Sequence, residues 1–210
     1  MKILAVGMNY REHVRELKNT VPESPVIFIK PDSAYATATD ENPPANKPFF
    51  LPDFSHEIHY ETELVVKFCR LGRQIESKFA ARYYAEVTVG LDLTARDLQR
   101  QLRSEGKPWE ISKGFDQSAI VGRFVPLESL GPIQQLHFRL DLNGKTVQTA
   151  CTSEMIFSVD DVVAYASQFF TLKTGDLLFT GTPSGVGALQ IGDHLEAYLE
   201  GEKLLDLRIR

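Results

Sequence analysis

The dipeptide Asn143-Gly144 constrains the fold most, because it stands between two runs of strand-forming residues, 136–142 and 145–149. Asn-Gly is the strongest short signal for a β-hairpin, since both residues readily adopt the positive φ of a type I′ turn. A second hairpin is predicted around Gly201-Glu202, between residues 195–199 and 203–209. The chain is therefore expected to contain antiparallel sheet near its C-terminal end.

Helical segments are few in this sequence. Three open with capping-box patterns, and one is an amphipathic stretch over residues 76–86. The three capped helices are predicted over residues 9–18 (Asn9-x-x-Glu12), 94–105 (Thr94-x-x-Asp97) and 158–169 (Ser158-x-x-Asp161). The proline-rich segment 40–52 is a loop that is not expected to pair in a sheet. Most of the remainder favours strands, so the prediction is a β-rich α+β fold with mixed sheets and a few short helices.

Length and composition narrow the class of protein. The 210 residues suit one domain, 1–210, and 43% hydrophobic with 24% charged residues is ordinary for a soluble globular chain. A net charge of −5 without clustered lysines or arginines predicts no nucleic-acid partner. No apolar run is long enough to span a bilayer, and the N-terminus is too quickly polar for a signal peptide. Two cysteines outside any metal-ligand spacing fit a reduced cytoplasm.

Two glutamates stand two positions apart in the apolar run His59-Tyr60-Glu61-Thr62-Glu63-Leu64. In an extended strand, residues i and i+2 project from one face, so Glu61 and Glu63 would repel each other at neutral pH. A divalent cation would offset that repulsion, and Asp92 in another strand-like run could complete an oxygen site for Mg²⁺ or Mn²⁺. The alternative is a solvated face of an edge strand. A zinc site using His59 lacks the His-Glu-x-x-His helix that would accompany it.

The first predicted helix places His13 and Glu16 at i and i+3, on one face. A histidine oriented by a carboxylate can act as a general base near neutral pH. An isolated pair of this kind is more often a surface ion pair. The helix follows Gly7-Met8-Asn9, so it could also act as a lid.

Two lysines border apolar or glycine-containing runs. Lys30 ends the run Val26-Ile27-Phe28-Ile29, and Lys113 precedes Gly114. Either can bind an anionic substrate or stabilise an enolate, although a lone lysine more often extends to solvent. Residues 180–187, rich in glycine and hydroxyls, follow an apolar strand and could bind an anion through backbone N–H groups, or form a plain turn.

Taken in order, these segments resemble the fumarylacetoacetate hydrolase superfamily over nearly the whole chain. The compact length and the Asn9-Tyr10-x-x-His13-x-x-Glu16 pattern are most similar to the acylpyruvase and oxaloacetate decarboxylase branch. The matching runs begin with Gly7-Met8-Asn9-Tyr10, Pro25–Pro31 and His59-Tyr60-Glu61-Thr62-Glu63, and continue with Asp92-Leu93-Thr94-Ala95-Arg96-Asp97, Lys113-Gly114-Phe115-Asp116, Met155-Ile156-Phe157-Ser158 and Gly181-Thr182-Pro183-Ser184-Gly185.

The resemblance implies a mixed β-roll that forms a homodimer. It implies Mg²⁺ or Mn²⁺ at Glu61, Glu63 and Asp92, with Lys113 beside the cation. It further implies that His13 and Glu16 activate water on a lid. Lys30 stays a candidate for substrate binding from its place in the sequence, and the resemblance adds Gln148 and Thr182.

The function so predicted is hydrolysis of a C–C bond in acylpyruvates, giving pyruvate and a carboxylic acid, with oxaloacetate decarboxylation as a second activity. A 2-oxo acid would chelate the cation, which stabilises the enolate left when the bond at C3 breaks. Within the superfamily the alternative is an isomerase or decarboxylase of 2-hydroxyhepta-2,4-diene-1,7-dioate-type compounds. From another class, the chain would be a binding protein for a metal or an oxo acid.

Overall fold

The computed structural model describes residues 1–39 and 47–210, and arranges their strands in three β-sheets. The strands, in chain order, are β1 (Ile3–Gly7), β2 (Val26–Lys30), β3 (Tyr35–Thr37), β4 (Ile58–Tyr60), β5 (Thr62–Phe68), β6 (Tyr84–Asp92), β7 (Thr94–Ala95), β8 (Ala119–Val121), β9 (Val125–Pro126), β10 (His137–Leu142), β11 (Lys145–Cys151), β12 (Leu177–Phe179), β13 (Gly187–Ala188), β14 (His194–Leu199) and β15 (Glu202–Arg208).

The largest sheet has the order β2-β1-β12-β5-β6-β8-β3, with β9 also paired to β6. The pairs β1–β12 and β3–β8 are parallel and the others antiparallel, so the sheet is mixed. Its central strand β5 sends Leu64 and Val66 into one buried cluster and Val65 into another. That alternation follows from the two-residue period of a strand covered on both faces. The predicted β-rich fold with mixed sheets is confirmed.

The second sheet, β11-β10-β14-β15, contains both predicted hairpins. Asn143 and Gly144 have φ of 53° and 76° between β10 and β11, so the first hairpin is confirmed. In the second hairpin the turn residues are Glu200 and Gly201, with φ of 48° and 84°. The prediction placed this turn one residue too late, because Glu202 already pairs with Leu199 as the first residue of β15.

Among the described residues the α-helices are short, and one of the three predicted caps is confirmed. Ser158 caps α4, and its hydroxyl accepts a hydrogen bond from the backbone N–H of Asp161. Asn9 does not cap α1, since its amide instead bonds the backbone of Phe157 and Thr180. The helices are α1 (Arg11–Glu16), α2 (Arg96–Ser104), α3 (Glu110–Lys113) and α4 (Val159–Phe169).

The third predicted cap and the amphipathic helix are wrong for tertiary reasons. Thr94 belongs to strand β7, and its hydroxyl bonds the backbone carbonyl of Asp92. Residues 76–86 form a 3₁₀ helix, Ser77–Arg82, and then enter β6, where Tyr84 pairs opposite Phe68. Tyr84 is buried and donates a hydrogen bond of 2.7 Å to Asp160. Sheet pairing and side-chain burial therefore outweigh the helical periodicity here.

The proline-rich loop is described from residue 47 onward, and its predicted residues 40–46 lie outside the described part. Phe49 forms a parallel bridge to Ile209, supported by a 2.8 Å hydrogen bond from Arg210 N–H to the Phe49 carbonyl. The expectation that this loop stays unpaired is wrong at Phe49, which is buried and extends the edge of β15. In the part of the chain that the structure describes, no helix has the length and apolar content needed to cross a bilayer.

Candidate active site

Three buried carboxylates meet where two sheets adjoin. Glu61 lies between β4 of the small sheet β13-β4-β7 and β5 of the large one, and Glu63 follows two residues later on β5. Asp92 ends β6, and its N–H donates a 2.9 Å hydrogen bond to the carbonyl of Glu61, which directly precedes the neighbouring strand β5. One carboxylate oxygen from each residue lies within 4.8 Å of the others. Strand alternation and cross-strand pairing thus bring the predicted ligands together.

Cationic side chains surround two of these carboxylates. Lys113 Nζ donates to Glu61 Oε2 at 2.7 Å, to Asp92 Oδ2 at 2.8 Å and to Thr94 Oγ1 at 2.7 Å. The Arg96 guanidinium also bonds Glu61. Although burial alone would raise the pKa of Glu61, the charges of Lys113 and Arg96 hold it far below its usual value. Glu61 is therefore a carboxylate at neutral pH.

Glu63 has different surroundings. In the described part of the chain its hydrogen-bond partner is the backbone N–H of Gly181, which donates to Oε2 at 2.6 Å, and no cationic side chain pairs with it. Burial, followed by the charges of Asp92 and Glu61, raises the pKa of Glu63 well above its usual value. A further positive charge at this point would stabilise its ionised form. The three carboxylates are hard oxygen donors, and this set fits Mg²⁺ or Mn²⁺.

Lys30 reaches the same cluster from β2. It is fully buried, its Nζ lies 2.7 Å from Asp92 Oδ1, and it donates to the carbonyl and hydroxyl of Ser118 at 3.1 Å. Burial lowers the pKa of Lys30, and Asp92 opposes that effect. Lys30 does not line the cavity. Its ammonium contacts Asp92 and thereby holds that carboxylate in place.

His13 and Glu16 lie on α1, as the predicted spacing requires. His13 Nδ1 is 3.1 Å from Glu16 Oε2, and the ring is buried against the cavity beside the carboxylates. Glu16 also accepts a 3.1 Å hydrogen bond from the N–H of Gly185. Two partners therefore orient Glu16, and Glu16 in turn orients the imidazole. Among the described residues, no hydrogen bond engages the other ring nitrogen, Nε2.

Gln148 and Thr182 are joined directly. Gln148 Nε2 donates to Thr182 Oγ1 at 2.9 Å and to the Pro183 carbonyl at 3.0 Å, and Oε1 accepts from the N–H of Thr62. Both amide hydrogens of Gln148 are thus used within the protein, and Thr182 is the member of this pair that lines the cavity. The backbone N–H groups of residues 180–187 bond glutamate side chains of the same chain: Gly181 N–H donates to Glu63, and Gly185 N–H donates to Glu16.

The cavity between α1 and the carboxylates has a volume of about 30 Å³, roughly the space of one water. A larger ligand therefore enters only when one of its walls moves. The sequence analysis assigned no role to several polar residues that line the cavity. Three of them, Arg96, Gln99 and Arg103, are spaced three and four residues apart on α2, which places them on one helix face and was an available signal. Its polar walls comprise the predicted Glu61, Glu63, Lys113, His13 and Thr182, and the unpredicted Arg96, Gln99, Arg103 and Asn19.

Comparison with known proteins gives concordant results. Residues 2–209 match the family model described as fumarylacetoacetate (FAA) hydrolase C-terminal. The mitochondrial oxaloacetate tautomerase FAHD1 of Rattus norvegicus is 40% identical over 199 residues, which cover 95% of this chain and 87% of that protein.

Two solved structures extend the comparison. Fumarylpyruvate hydrolase from Pseudomonas aeruginosa, in complex with Mn²⁺ and pyruvate, gives a TM-score of 0.91 at 35% identity, covering 100% of this chain and 89% of its own. The 2-hydroxyhepta-2,4-diene-1,7-dioate isomerase from Mycobacterium marinum gives 0.83 at 33% identity, covering 99% and 73%. The named proteins are a tautomerase, a hydrolase and an isomerase, so similar chains perform three kinds of reaction.

Proposed function

This chain belongs to the fumarylacetoacetate hydrolase family, and we propose that it interconverts the keto and enol forms of oxaloacetate with a divalent cation bound. The observation that supports this most is the buried cluster of Glu61, Glu63 and Asp92, of which Glu61 and Glu63 line the same cavity as Lys113 and His13. A 2-oxo acid offers a carboxylate and a keto oxygen side by side, which suits such a cluster. A cation held by the three carboxylates would withdraw electrons from the keto oxygen and so favour the enol.

The side chains of the site can move the proton that this reaction requires. In the forward direction a base takes the proton from C3, the C–H electrons form the C2–C3 double bond while the C2 carbonyl π electrons move to oxygen, and the protonated base then gives that proton to the C2 oxygen. His13 lines the cavity, its Nε2 makes no hydrogen bond among the described residues, and Glu16 at Nδ1 would stabilise the imidazolium formed when His13 accepts the proton. In the reverse direction neutral His13 takes the proton of the enol oxygen, and the imidazolium so formed delivers it to C3.

Lys113 supplies positive charge near the developing oxyanion. Burial lowers its pKa, but Asp92 and Glu61 more than offset this and raise the pKa of Lys113 above its usual value. It therefore remains an ammonium at neutral pH, and an ammonium held in place beside the developing oxyanion stabilises an enolate. Lys30 then serves as a positioning residue through Asp92.

Acylpyruvate hydrolysis is the second candidate, and the His13–Glu16 pair is the observation that favours it. The same imidazole can take a proton from a water that attacks the C4 carbonyl, which releases pyruvate and a carboxylic acid. Decarboxylation of oxaloacetate would pass through the same pyruvate enolate without an attacking water. The similarity to fumarylpyruvate hydrolase supports this candidate, and the similarity to the dienedioate isomerase supports the isomerase alternative.

One set of assays separates these reactions. Ketonisation of enol oxaloacetate, followed by ultraviolet absorbance with Mg²⁺, Mn²⁺ or EDTA, tests the proposal, and we expect turnover with a cation and none with EDTA. Pyruvate release from acetylpyruvate and from oxaloacetate measures hydrolysis and decarboxylation, and a dienedioate tests isomerisation. If hydrolysis is the faster reaction at equal substrate, the second candidate replaces the first. Cation binding without any turnover would instead indicate a binding protein.

A further inference from the structure

Arg103 and Asn19 meet at the edge of the cavity. Arg103, exposed in the last turn of α2, donates through Nη2 a 2.9 Å hydrogen bond to Asn19 Oδ1. Both side chains line the cavity that Glu63 and Lys113 also line. The pair therefore joins two walls of the site, one from α2 and one from the segment that follows α1.

Backbone hydrogen bonds fix Asn19 relative to α1. Lys18 has a positive φ of 53°, its N–H bonds the carbonyl of Arg15 at 2.9 Å, and the N–H of Asn19 bonds the carbonyl of Val14 at 3.0 Å. These two bonds make a Schellman motif, which ends the helix at a defined residue. Asn19 is consequently held at a constant position relative to His13 on the same helix.

Arg103 differs from the nearby arginines of α2 in its partners. Arg96 bonds Glu61 and Gln99, and Arg100 pairs with Glu57. Within residues 1–39 and 47–210, no carboxylate lies within ion-pair distance of Arg103, and its hydrogen bond goes to a neutral amide. A guanidinium that lines a cavity without an anion is prepared to bind one.

The amide of Asn19 adds a second donor. Oδ1 accepts from Arg103, which leaves Nδ2, the other arm of the same planar amide, as a separate donor. Nδ2 is buried and has no acceptor among the described residues. A buried N–H without an acceptor is costly, so this donor also calls for a ligand oxygen. A guanidinium beside an amide donor suits a carboxylate, whose two oxygens accept both.

We propose that Arg103 and Asn19 bind the second carboxylate of a dicarboxylic substrate, and so select dicarboxylic over monocarboxylic 2-oxo acids. The inference rests on the proposed function, since it takes the 2-oxo carboxylate to lie at the Glu61–Glu63–Asp92 cluster. The other end of the substrate then reaches the edge of the cavity. When substrate enters, its second carboxylate either replaces Asn19 Oδ1 as the acceptor for Arg103 or accepts hydrogen bonds from Arg103 and Asn19 together.

The test compares ligands that differ in the second carboxylate. For Arg103→Gln with Mg²⁺ bound, we expect the KM and the directly measured Kd of oxaloacetate to rise roughly tenfold to a hundredfold, the usual effect of losing a charge-assisted hydrogen bond. The Kd of pyruvate and the inhibition constant of oxalate, which need the cation end alone, should change less than about twofold. Calorimetry and thermal unfolding of each variant accompany the kinetics.

Three variants serve as controls. Arg100→Gln removes the same charge from the same helix at a position outside the cavity lining, and should leave the Kd of oxaloacetate unchanged. Asn19→Asp places a carboxylate against Arg103 and should reproduce the selective loss. Arg103→Lys keeps the charge and should restore part of the affinity.

Several results would overturn the inference. One is that Arg103→Gln raises the Kd of pyruvate and the Kd of oxaloacetate by the same factor. Another is that Arg100→Gln raises the Kd of oxaloacetate as much as Arg103→Gln does. A third is that the wild-type protein binds oxaloacetate no more tightly than pyruvate. If the wild type binds oxaloacetate selectively but does not turn it over, the proposed reaction fails while the assignment of the carboxylate site stands.

Discussion

At the scale of single residues, Glu63 is the carboxylate whose charge the described side chains do not balance. Glu61 and Asp92 each contact an ammonium or a guanidinium, whereas Glu63 receives a backbone N–H. Burial and the charges of Asp92 and Glu61 therefore raise the pKa of Glu63, and a bound cation would lower it again. This difference among three neighbouring acids leads to a prediction about stability and pH.

Replacing Glu63 by Gln should stabilise the cation-free protein at neutral pH. A carboxyl whose folded-state pKa is raised stabilises the fold below its unfolded pKa of 4.5, and this contribution is lost as the pH rises through the folded-state pKa. Gln imitates the protonated form, so the free energy of unfolding in EDTA at pH 7 should exceed that of the wild type by about 1–3 kcal/mol. The difference should shrink toward pH 4 in urea titrations.

The matched control for this prediction is Glu86→Gln. Glu86 lies on β6 like Asp92, but it is only half-buried and is paired with Lys67. Its substitution should leave the pH dependence of unfolding parallel to that of the wild type. If Glu63→Gln also gives a parallel curve, Glu63 is not a buried, uncompensated charge.

The sequence predicted the carboxylates because their spacing acts locally, through strand alternation at Glu61 and Glu63 and through strand pairing at Asp92. It could not predict the role of Arg103 or Asn19. The direction in which α2 leaves β7, and the Schellman motif at Lys18, decide whether those side chains face a cavity. Both depend on packing between distant segments, which the local pattern does not contain.

At the scale of elements, α1 carries both members of the proposed proton-transfer pair on one turn. His13→Ala should lower kcat by about 10²–10⁴-fold, the usual contribution of a general acid–base group. The Kd of Mg²⁺, measured by calorimetry, should change little because His13 is separate from the carboxylate cluster. Arg15→Gln, on the exposed face of the same helix, is the control and should leave both quantities unchanged. Equal loss of catalysis and of cation binding in His13→Ala would contradict this role.

The loop after β12 depends on Gly181. Its φ is +103°, and a Cβ there would lie 2.7 Å from the Cβ of Asn9, whose side chain is fully buried. Gly181→Ala should therefore reduce the free energy of unfolding by about 2–5 kcal/mol, from backbone strain plus the clash. It should also weaken Mg²⁺ binding, because Gly181 N–H orients Glu63.

Gly192→Ala separates the two causes. Gly192 has a similar φ of +96°, and an added Cβ would meet nothing within 4 Å. We expect a loss of about 1–3 kcal/mol from strain alone, with Mg²⁺ affinity retained. Equal losses in both variants would show that the contact with Asn9 is unimportant.

Secondary-structure elements could be predicted where the hydrogen bonds that define them lie within a few residues of one another. The Asn143-Gly144 turn and the Ser158 cap satisfy their hydrogen bonds within a few residues, and both are confirmed. Asn9 and Thr94 carry equally good capping side chains, yet each bonds a partner set by the tertiary fold. Residues 84–86 have a helical pattern but begin strand β6, since β5 offers pairing partners to Tyr84 and Glu86 on either side of an irregularity at Ala85.

At the scale of the whole molecule, cation binding should appear as global stabilisation. A ligand present at a hundred times its Kd adds about 2.7 kcal/mol to the free energy of unfolding. For a chain of 210 residues this raises Tm by about 5–10 °C. Differential scanning calorimetry with Mg²⁺ or Mn²⁺ against EDTA checks the shift, and Glu63→Gln should abolish most of it.

A second group of possible ligands provides the control. His194, Glu196 and Asp206 also lie close together, but Lys203 Nζ bonds both acids at 3.0 and 3.1 Å. His194→Ala should therefore leave the cation-induced rise in Tm unchanged. If the rise in Tm survives in Glu63→Gln and disappears in His194→Ala, the cation binds at His194, Glu196 and Asp206, and the prediction for Glu63 is wrong.

The fold class followed from the sequence because hairpin turns, strand runs and scarce helices agree with one another. The small size of the cavity, about 30 Å³, could not be predicted from the sequence, since it depends on how α1 packs against the sheets. The homodimer implied by the resemblance stays a prediction. Light scattering should then give about twice the 23.6 kDa of one chain.

The loop of residues 180–187 bonds two acids that have separate tasks. Its Gly181 N–H holds Glu63, and four residues later its Gly185 N–H holds Glu16, the partner of His13. A cation bound at Glu63 would restrain Gly181, and Gly185 of the same loop would then restrain Glu16 on α1. Such linkage is reciprocal: whatever factor the ion contributes to the restraint of Glu16, that restraint contributes to the ion's affinity. The hydrogen bonds of this one loop therefore connect the orientation of Glu16, and through it that of His13, to the orientation of Glu63.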